Sequence, residues 1–267
     1  ATGCVHDCVF CKAKPEEAGQ SLAEISAKLK AASRLSRKKI ALAGNEPLLH
    51  HGIAKILRLC RKHGFGEVEV MTSGTLLTGP GTALGLKKAG ATALALPLYA
   101  AAAGLHDEVT RRKGSFEDTV WSIENAGKAG LKVFIHTNLL KQNLKALPKL
   151  EDLVRGKWGL PFAILPIRPK SPDSMNLAYE DLEPSYEEMV AAGLKVTCLA
   201  GFPVCVQRRI QGAAVLGPEQ LADSVKLYLL HQTFMKPVSC LKCPETRRCL
   251  GTFSEHLEAY PGDLSLL

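Results

Sequence analysis

The sequence contains no run of about 18 consecutive apolar residues, the minimum for a helix that crosses a membrane. Its first residues show no basic stretch followed by an apolar one, so no secretory signal is visible. Nine cysteines without an export signal indicate metal binding in a reducing compartment and not disulfide bonds. We therefore expect a cytoplasmic protein that has no membrane partner.

Composition limits the class of protein further. A chain of 267 residues can bury one large core, or a core with a small appendage, and 46% apolar residues is ordinary for a soluble globular protein. The formal net charge of +8 could attract an acidic peptide, a nucleotide or RNA. This charge is spread along the chain, and bound clusters with their thiolates would lower it, so a nucleic-acid partner is not indicated.

The most informative pattern is the cysteine triplet Cys4, Cys8 and Cys11, spaced C-x3-C-x2-C. Three thiolates can hold three irons of a cubane cluster and leave the fourth iron without a protein ligand, free to bind another molecule. The alternatives are a zinc knuckle or buried apolar thiols. Zinc sites usually have a second pair of ligands nearby, whereas the next cysteine here is Cys60.

With Phe10 before the third cysteine, this pattern resembles the C-x3-C-x-aromatic-C signature of the radical S-adenosylmethionine (SAM) superfamily. The resemblance implies a [4Fe–4S] cluster whose open iron chelates the amino and carboxylate groups of SAM. It also implies reductive cleavage of SAM to a 5′-deoxyadenosyl radical, which takes a hydrogen atom from the substrate. An electron donor such as flavodoxin or ferredoxin is implied as a partner.

Strand and helix patterns alternate along the first part of the chain, which predicts a parallel α/β sheet with right-handed crossovers. The expected form is a partial (β/α)6 barrel with its chemistry at the carboxyl ends of the strands, as in the superfamily. In the superfamily a strand precedes the cysteine loop, so we expect a segment before Ala1; an unfinished sheet edge is the alternative. The predicted strands are 39–43, 67–72, 93–98, 131–136 and 162–167. The predicted helices are 15–34, one marked by Ile53 to Cys60 and ended by His63-Gly64, 82–89, 115–129 and about 143–155.

The turn after the first of these strands, Gly44-Asn45-Glu46-Pro47, resembles the Gly-Gly-Glu-Pro motif of the superfamily, with Asn45 in place of the second glycine. Glu46 can accept a hydrogen bond from the ammonium of SAM, and glycine lets backbone carbonyls approach closely. Taken alone, the same residues would also suit an ordinary strand-to-helix turn.

Further positions for cofactor contacts follow the next strands. The turn Thr72-Ser73-Gly74 resembles a Thr-Asn-Gly turn of the superfamily that lines the methionine or ribose side of the site, although a simple turn is the alternative. Arg112 could pair with the SAM carboxylate or lie on a solvated basic face. His136 and Asn138, at the end of a strand, are expected to contact ribose or substrate. The catalytic residues are unknown at this stage.

The C-terminal cysteines Cys240, Cys243 and Cys249 are spaced C-x2-C-x5-C, and Cys205 can supply a fourth thiolate. This set resembles the auxiliary-cluster extensions of SPASM and twitch type, although Phe253 stands where the long SPASM pattern has a further cysteine. Four thiolates would coordinate an iron–sulfur cluster fully, and a structural zinc is the alternative. Cys60 and Cys198 lie in apolar patterns and are interpreted as core residues.

We therefore predict a radical SAM barrel over residues 1–170 and a small auxiliary iron–sulfur cluster domain over residues 180–267, joined by a proline-rich connector. The expected activity is modification of a peptide or protein side chain, because residues 97–107 and the C-terminal cysteines resemble peptide maturases. A small molecule or nucleotide is the second candidate substrate, as in molybdopterin precursor synthesis, although the end of this sequence lacks the Gly-Gly pair usual there. A non-catalytic iron–sulfur or zinc scaffold is the third, and the turn at 44–47 argues against it.

Overall fold

The computed structural model describes residues 3–11, 19–167, 176–210, 215 and 234–264. Within these residues, one parallel sheet has its strands in sequential order from β1 to β5. Lys39 of β1 pairs with Glu67 of β2, and Ala93 of β3 pairs with Lys132 of β4. The predicted parallel α/β sheet is therefore confirmed. Its strands are β1 (Lys39–Leu42), β2 (Glu67–Met71), β3 (Ala93–Pro97), β4 (Lys132–Asn138) and β5 (Phe162–Leu165).

Helices connect the strands as the alternating pattern predicts. Ser21 and Glu24 form a capping box at the start of α1, which fixes its first turn. Part of the predicted helix at 15–34 lies outside the described residues. The helices of the sheet region are α1 (Leu22–Leu35), α2 (Ile53–Lys62), α3 (Pro80–Ala89), α4 (Ala103–Thr110), α5 (Ser115–Lys128) and α6 (Leu147–Asp152).

Two connections differ from the prediction. Helix α4 occupies a segment for which the sequence predicts a loop, and Asp107 near its end accepts hydrogen bonds from the backbone N–H groups of Gly114 (2.7 Å) and Phe116 (2.9 Å). The predicted helix at 143–155 is a composite of a 3-10 turn (Leu144–Ala146), α6 and a π-helical turn (Leu153–Lys157). A short, polar helix such as α4 gives too weak a periodicity to be read from sequence.

The apolar core lies against the sheet and extends into the residues that follow it. Strand β3 is buried along its whole length. Met189 and Phe202 pack in the same core as Leu94 of β3. Ile164 of β5 also forms a parallel bridge with Leu199, which follows the sheet in the sequence. Described residues between 186 and 210 therefore share one core with the sheet, and the predicted connector lies partly outside the described residues.

The remaining described elements follow the sheet in the sequence, and the later ones carry Cys205, Cys240, Cys243 and Cys249 or flank them. Gly251, at φ 96°, holds the turn before β7, where a Cβ atom would collide with the carbonyl oxygen of Met235. In the part of the chain that the structure describes, no helix is long and apolar enough to span a membrane. These elements are α7 (Tyr179–Leu182), α8 (Tyr186–Ala191), α9 (Val204–Arg209), the antiparallel pair β6 (Phe234–Met235) and β7 (Thr252–Phe253), a 3-10 turn (Val238–Lys242) and α10 (Ser254–Ala259).

Candidate functional site

The cysteine loop, residues 3–11, lies beside the carboxyl ends of the central strands. The backbone N–H of Asp7 donates to the carbonyl oxygen of Thr110, 3.1 Å away at the end of α4. The imidazole Nε2 of His6 lies 2.7 Å from the hydroxyl oxygen of Thr75, which follows β2. These contacts attach the loop to two strand–helix units and hold it at one edge of the sheet.

This loop brings the thiols of Cys4, Cys8 and Cys11 together. Cys4 and Cys8 are partly buried and Cys11 is exposed. Burial raises the pKa of Cys8, and the neighbouring thiolates of Cys11 and Cys4 raise it further, so the three sulfurs share one electrostatic environment. Three thiolates on one short, partly exposed loop fit a [4Fe–4S] cluster that keeps one iron free of protein ligands.

The thiol arrangement is not that of a single-ion site. Among the residues that the structure describes, no three His, Cys, Asp or Glu side chains are arranged to hold one metal ion. In a cubane each thiolate binds a different iron, so the sulfurs stand farther apart than the ligands of one ion.

Asn176 holds the cysteine loop from across the site. Its amide nitrogen lies 2.7 Å from a carboxylate oxygen of Asp7, 2.9 Å from the carbonyl oxygen of Cys8 and 3.1 Å from that of Cys11. One amide group therefore bridges the backbone on both sides of the C-x2-C turn. Sequence reasoning missed this residue, because it is 168 positions away from Cys8 along the chain and belongs to no local motif.

Arg112 also contacts the loop. Its guanidinium donates to the carbonyl oxygen of Val5 at 3.4 Å and pairs with the carboxylate of Asp118 on α5 at 3.4 Å. Arg111, a non-glycine residue at φ 53°, reaches the Asp7 carboxylate at 3.4 Å. In this structure Arg112 thus positions the loop, and its pairing with the carboxylate of SAM stays a prediction.

Glu46 joins the two turns in which cofactor contacts were predicted. Its carboxylate is fully buried and accepts hydrogen bonds from the hydroxyl of Thr72 (2.6 Å), the hydroxyl and backbone N–H of Ser73 (2.6 and 2.8 Å) and the N–H of Leu48 (3.0 Å). Four donors match the roughly four lone-pair positions of a carboxylate. Glu46 also lies close to Cys4, whose pKa is raised by burial first and by Glu46 next.

The turn 72–74 is held from the opposite side by α5. The hydroxyl of Thr119 donates to the carbonyl oxygen of Ser73 at 3.3 Å. Gly74 adopts φ 86°, and a Cβ atom there would lie 3.2 Å from a side-chain carbon of Leu96, so both its conformation and its surroundings favour glycine. The backbone of this turn is therefore fixed next to the cysteine loop.

Gly44, Asn45 and Pro47 have a different neighbourhood. They line a cavity of about 450 Å³ that opens between α1 and the edge strand β1, with Leu29 and Ile40 on its apolar wall. The cavity is not lined by the side chains at the carboxyl ends of β2 and β4. It therefore flanks the turn at the sheet edge and is distinct from the mouth beside the cysteine loop.

His136 and Asn138 lie two residues apart on β4 and so on one face of the sheet. Burial lowers the pKa of His136 to about 4, and its Nδ1 atom is buried without a protein partner among the described residues. The amide of Asn138 donates to the carbonyl oxygen of Pro166 at 3.2 Å. A buried, neutral imidazole with a free nitrogen at a strand's carboxyl end fits the predicted contact with a ligand.

Phe10, the aromatic residue of the cysteine motif, packs edge-on against Tyr99, with ring centroids 5.5 Å apart. Tyr99 follows β3 and is buried. Burial raises the pKa of Tyr99 well above its ordinary value, and the thiolates of Cys8, Cys11 and Cys4 raise it further. No role for Tyr99 is predicted from the sequence.

The four C-terminal cysteines also come together. Cys205 at the start of α9 and Cys240, Cys243 and Cys249 line one small cavity. Burial raises the pKa of Cys205, and the nearby thiolates of Cys249 and Cys240 contribute in the same direction. The sulfur of Cys249 lies 3.4 Å from the backbone nitrogen of Gly251. The fold thus brings Cys205 next to three cysteines that are 35 or more positions away in the sequence.

Comparison with known proteins identifies the class. The family model of the radical SAM superfamily matches residues 1–154, more than half of the chain. The chain therefore belongs to the radical SAM superfamily, which agrees with the resemblance of its cysteine motif. Membership implies a [4Fe–4S] cluster and SAM as cofactors.

Individual relatives resemble the chain over part of their length. A probable GTP 3′,8-cyclase of Methanopyrus kandleri is 29% identical over 197 residues, 70% of this chain and 63% of the relative. A probable GTP 3′,8-cyclase of Aeropyrum pernix is 34% identical over 42% of this chain and 30% of the relative. An AdoMet-dependent heme synthase of Oleidesulfovibrio alaskensis is 27% identical over 60% of this chain and 42% of the relative. The chain thus spans less than two thirds of these proteins.

Solved structures share the fold. The structure of native anSMEcpe with bound AdoMet and Cp18Cys peptide aligns over 99% of this chain and 93% of its own, with a TM-score of 0.60 and 15% identity. Streptococcus suis SuiB aligns over 72% of this chain and 42% of its own, with a TM-score of 0.58 and 15% identity. At these identities the likeness is one of fold.

Proposed function

We propose that this chain cleaves SAM reductively and uses the 5′-deoxyadenosyl radical to take a hydrogen atom from its substrate. The proposal is supported chiefly by the His6–Thr75 contact, which attaches the loop of Cys4, Cys8 and Cys11 beside the Glu46–Ser73 contact at the carboxyl edge of the sheet. When bound, a [4Fe–4S] cluster supplies one electron and an iron that SAM can ligate.

The protein's own residues hold the cysteine loop and the neighbouring turn in place, and they shield the radical from water. Asn176 and Arg112 fix the backbone of the cysteine loop, and Glu46 fixes the turn that faces the methionine side of SAM. His136 and Asn138 are available on one face of β4 for ribose or substrate. Since the strand ends are buried, the radical is kept from water and side reactions.

We infer that the sheet belongs to a partial (β/α)6 barrel. Two observations support this: the strands follow one another in sequential order, and the Ile164–Leu199 bridge continues the parallel pairing beyond β5. Five strands pair among the described residues, so the sixth strand is part of the proposal.

We infer that the four C-terminal thiols hold an auxiliary iron–sulfur cluster in a twitch-like or SPASM-like domain over residues 180–267. Their shared cavity supports this, and a structural zinc is the other outcome to test. Because described residues between 186 and 210 pack in the core of the sheet, Cys205 belongs to a segment that packs against the sheet. The auxiliary site would then sit at a fixed distance from the cysteine loop.

Two substrate classes remain, a nucleotide and a peptide or protein side chain, and the relatives favour the nucleotide. Several curated relatives are named GTP 3′,8-cyclase, which supports a nucleotide. A peptide or protein side chain, ranked first from sequence, is supported by the residues at 97–107 and by the four C-terminal thiols, which resemble peptide maturases. We propose the nucleotide as the first substrate to test and the peptide as the second, with flavodoxin or ferredoxin as the electron donor.

The test uses anaerobically reconstituted protein with dithionite and SAM, and 5′-deoxyadenosine is measured by mass spectrometry. Formation of 5′-deoxyadenosine is expected, and a Cys8→Ala variant should form none. GTP deuterated in its ribose should transfer deuterium into 5′-deoxyadenosine if a nucleotide is the substrate. Absence of 5′-deoxyadenosine from cluster-loaded protein would overturn the radical reaction; its formation without transfer from GTP would exclude hydrogen abstraction from the GTP ribose.

A further inference from the structure

The segment around the C-terminal cysteines exposes large apolar side chains to solvent. Val238 and Leu241 are 82% and 78% exposed, and Met235 and Leu250 are 46% and 45% exposed. Val238 and Leu241 lie three residues apart on one 3-10 turn, so they project from the same side of it. The backbone of Met235 lies against Gly251, which adjoins Leu250. We call these four exposed side chains the C-terminal patch.

The C-terminal patch borders the four thiols. Val238 and Leu241 stand on either side of Cys240 in the sequence, and Leu250 directly follows Cys249. The sulfur-bearing residues Cys205, Cys240, Cys243 and Cys249 line one cavity, and all four are partly exposed. A protein that covers the patch would therefore lie next to the thiol site.

Exposed cations surround the C-terminal patch. Between residues 234 and 250 the chain carries Lys236, Lys242, Arg247 and Arg248, and Glu245 is the one acidic residue of this segment. Arg248 pairs with Glu245, whereas Lys242 and Arg247 form no ion pair with another described residue. The surface thus has an apolar centre and a positively charged rim, which is the arrangement of a protein–protein interaction site.

The charge of the rim selects the partner. A second copy of the chain in a two-fold interface would place the same cations against one another, and like charges across an interface are unfavourable. The complementary partner is an acidic protein. Because the patch borders partly exposed thiols, it suits an acidic carrier of single electrons, and redox partners form small interfaces of this kind.

Packed side chains connect the C-terminal thiols with the cysteine loop. Tyr179 belongs to one apolar cluster with Phe10, and its ring meets that of His256 on α10 with centroids 6.4 Å apart. His256 stacks on Tyr186 at 3.9 Å, and the Tyr186 hydroxyl contacts that of Thr252 on β7. An electron that enters at the C-terminal thiols therefore has a route to the cysteine loop through packed protein.

We propose that the C-terminal patch and its rim of cations dock an acidic one-electron carrier of the flavodoxin or ferredoxin class. This inference rests on the proposed function, since it assigns iron–sulfur clusters to both thiol sites. The reduced carrier gives up one electron to the C-terminal cluster, which passes it to the cluster of the cysteine loop, and SAM cleavage consumes it there. No covalent bond forms between the carrier and the patch.

The binding test uses reconstituted full-length protein, flavodoxin and ferredoxin, and isothermal titration calorimetry at low ionic strength. Lys242→Glu/Arg247→Glu reverses two charges of the rim. Lys55→Glu/Lys88→Glu is the matched control, because it makes the same change of net charge at exposed residues of α2 and α3. We expect the Kd for the carrier to rise about tenfold or more in the rim variant and to stay within about twofold in the control.

Formation of 5′-deoxyadenosine separates docking from the reaction. Dithionite is a small reductant that needs no docking surface, so the rate with dithionite should be the same in the wild type and both charge variants. The rate with the reduced carrier should fall about tenfold in the rim variant only. Val238→Ser/Leu241→Ser keeps every charge and removes apolar surface, and it should raise the Kd for the carrier about three- to tenfold.

Three results would overturn the docking surface. The first is that neither carrier binds the wild type, and the second is that the rim variant and its control bind the carrier equally well. The third is an acidic peptide or RNA oligonucleotide that binds as tightly as the carrier and loses affinity in the same variant, since the rim would then be a general site for polyanions. Cluster-loaded protein that forms no 5′-deoxyadenosine with dithionite would instead overturn the proposed function, and calorimetry would still decide the docking.

Discussion

The Glu46 carboxylate accepts two hydrogen bonds from Ser73, one from the hydroxyl at 2.6 Å and one from the backbone N–H at 2.8 Å. These residues are 27 positions apart and follow adjacent parallel strands. Both were predicted to contact SAM separately, and the fold makes them partners of each other. The contact explains why an acidic side chain can be completely buried beside three cysteines: it is saturated by uncharged donors.

Replacing Glu46 by Gln should therefore disturb the turn as well as any cofactor contact. One carboxylate oxygen becomes an NH₂ group that faces donors, so two of the four hydrogen bonds are lost. We expect the free energy of unfolding of the cluster-free protein to fall by about 2–4 kcal/mol. Denaturant titration measures this, with the exposed Glu117→Gln as control. An equal stability of Glu46→Gln and wild type would contradict the hydrogen-bond network.

Asn176 should control how well the cysteine loop is organised. Asn176→Asp places a carboxylate next to that of Asp7 and to two carbonyl oxygens, so it adds repulsion, whereas Asn176→Ala only removes donors. We expect the iron content after anaerobic reconstitution to fall in the order wild type, Asn176→Ala, Asn176→Asp. Iron bound by Asn176→Asp at or above the level of Asn176→Ala would argue against the bridging role.

Cys205 should be a ligand of the auxiliary site and Cys198 should not. Cys205→Ala is expected to lower the iron content of the reconstituted protein while SAM cleavage persists, because Cys4, Cys8 and Cys11 are intact. Cys198 is fully buried in the apolar core, so Cys198→Ala should leave the iron stoichiometry unchanged. Metal analysis of both variants decides the point, and it also detects zinc in place of iron. Unchanged iron in Cys205→Ala would remove it from the ligand set.

Because His136 is buried, we expect the folded protein to lose stability at acidic pH. Its pKa in the folded protein is about 4, below the ordinary 6.5, so between these values the unfolded chain takes up a proton that the folded chain does not. Stability should thus fall as the pH drops from about 6.5 to about 4 and level off below, by up to about 3 kcal/mol from this residue.

The contribution of His136 is separated from that of other histidines by substitution. His136→Phe should show a shallower decline in the free energy of unfolding over this window, whereas the exposed His51→Phe should follow the wild-type curve. Denaturant titrations at a series of pH values measure the slopes. Parallel curves for His136→Phe and wild type would show that this imidazole titrates normally.

The buried pair of His256 and Asp263 should anchor the C-terminal segment. Asp263 Oδ2 lies 2.7 Å from His256 Nε2 and accepts the backbone N–H of Tyr186 at 2.6 Å. Asp263→Asn keeps the shape but weakens one of these bonds, and we expect a loss of about 1–3 kcal/mol in the free energy of unfolding. The exposed Asp152→Asn is the control; a matching loss in both variants would rule out a specific anchor.

Sequence and structure agree best where the chemistry is local. The cysteine spacing, the apolar strands and the strand-end turns are each encoded within about ten residues, so periodicity and turn residues predict them. Helix α4 was not predicted, because its eight residues carry little hydrophobic pattern. The division into domains at residues 170 and 180 remains a prediction, and the packing of residues 186–210 in the core of the sheet could not be read from a proline-rich connector.

The sequence by itself determined the donor set of this protein: three thiols at cubane spacing, a Glu-containing turn after a strand, and four further cysteines near the end. Only the tertiary structure decided which partners those residues have. Glu46 bonds to Ser73, Asn176 bridges the cysteine loop and Tyr99 packs against Phe10, because parallel strands bring distant loops to one edge of the sheet. Hydrogen bonds across such distances depend on three-dimensional proximity, which no local pattern of residues records.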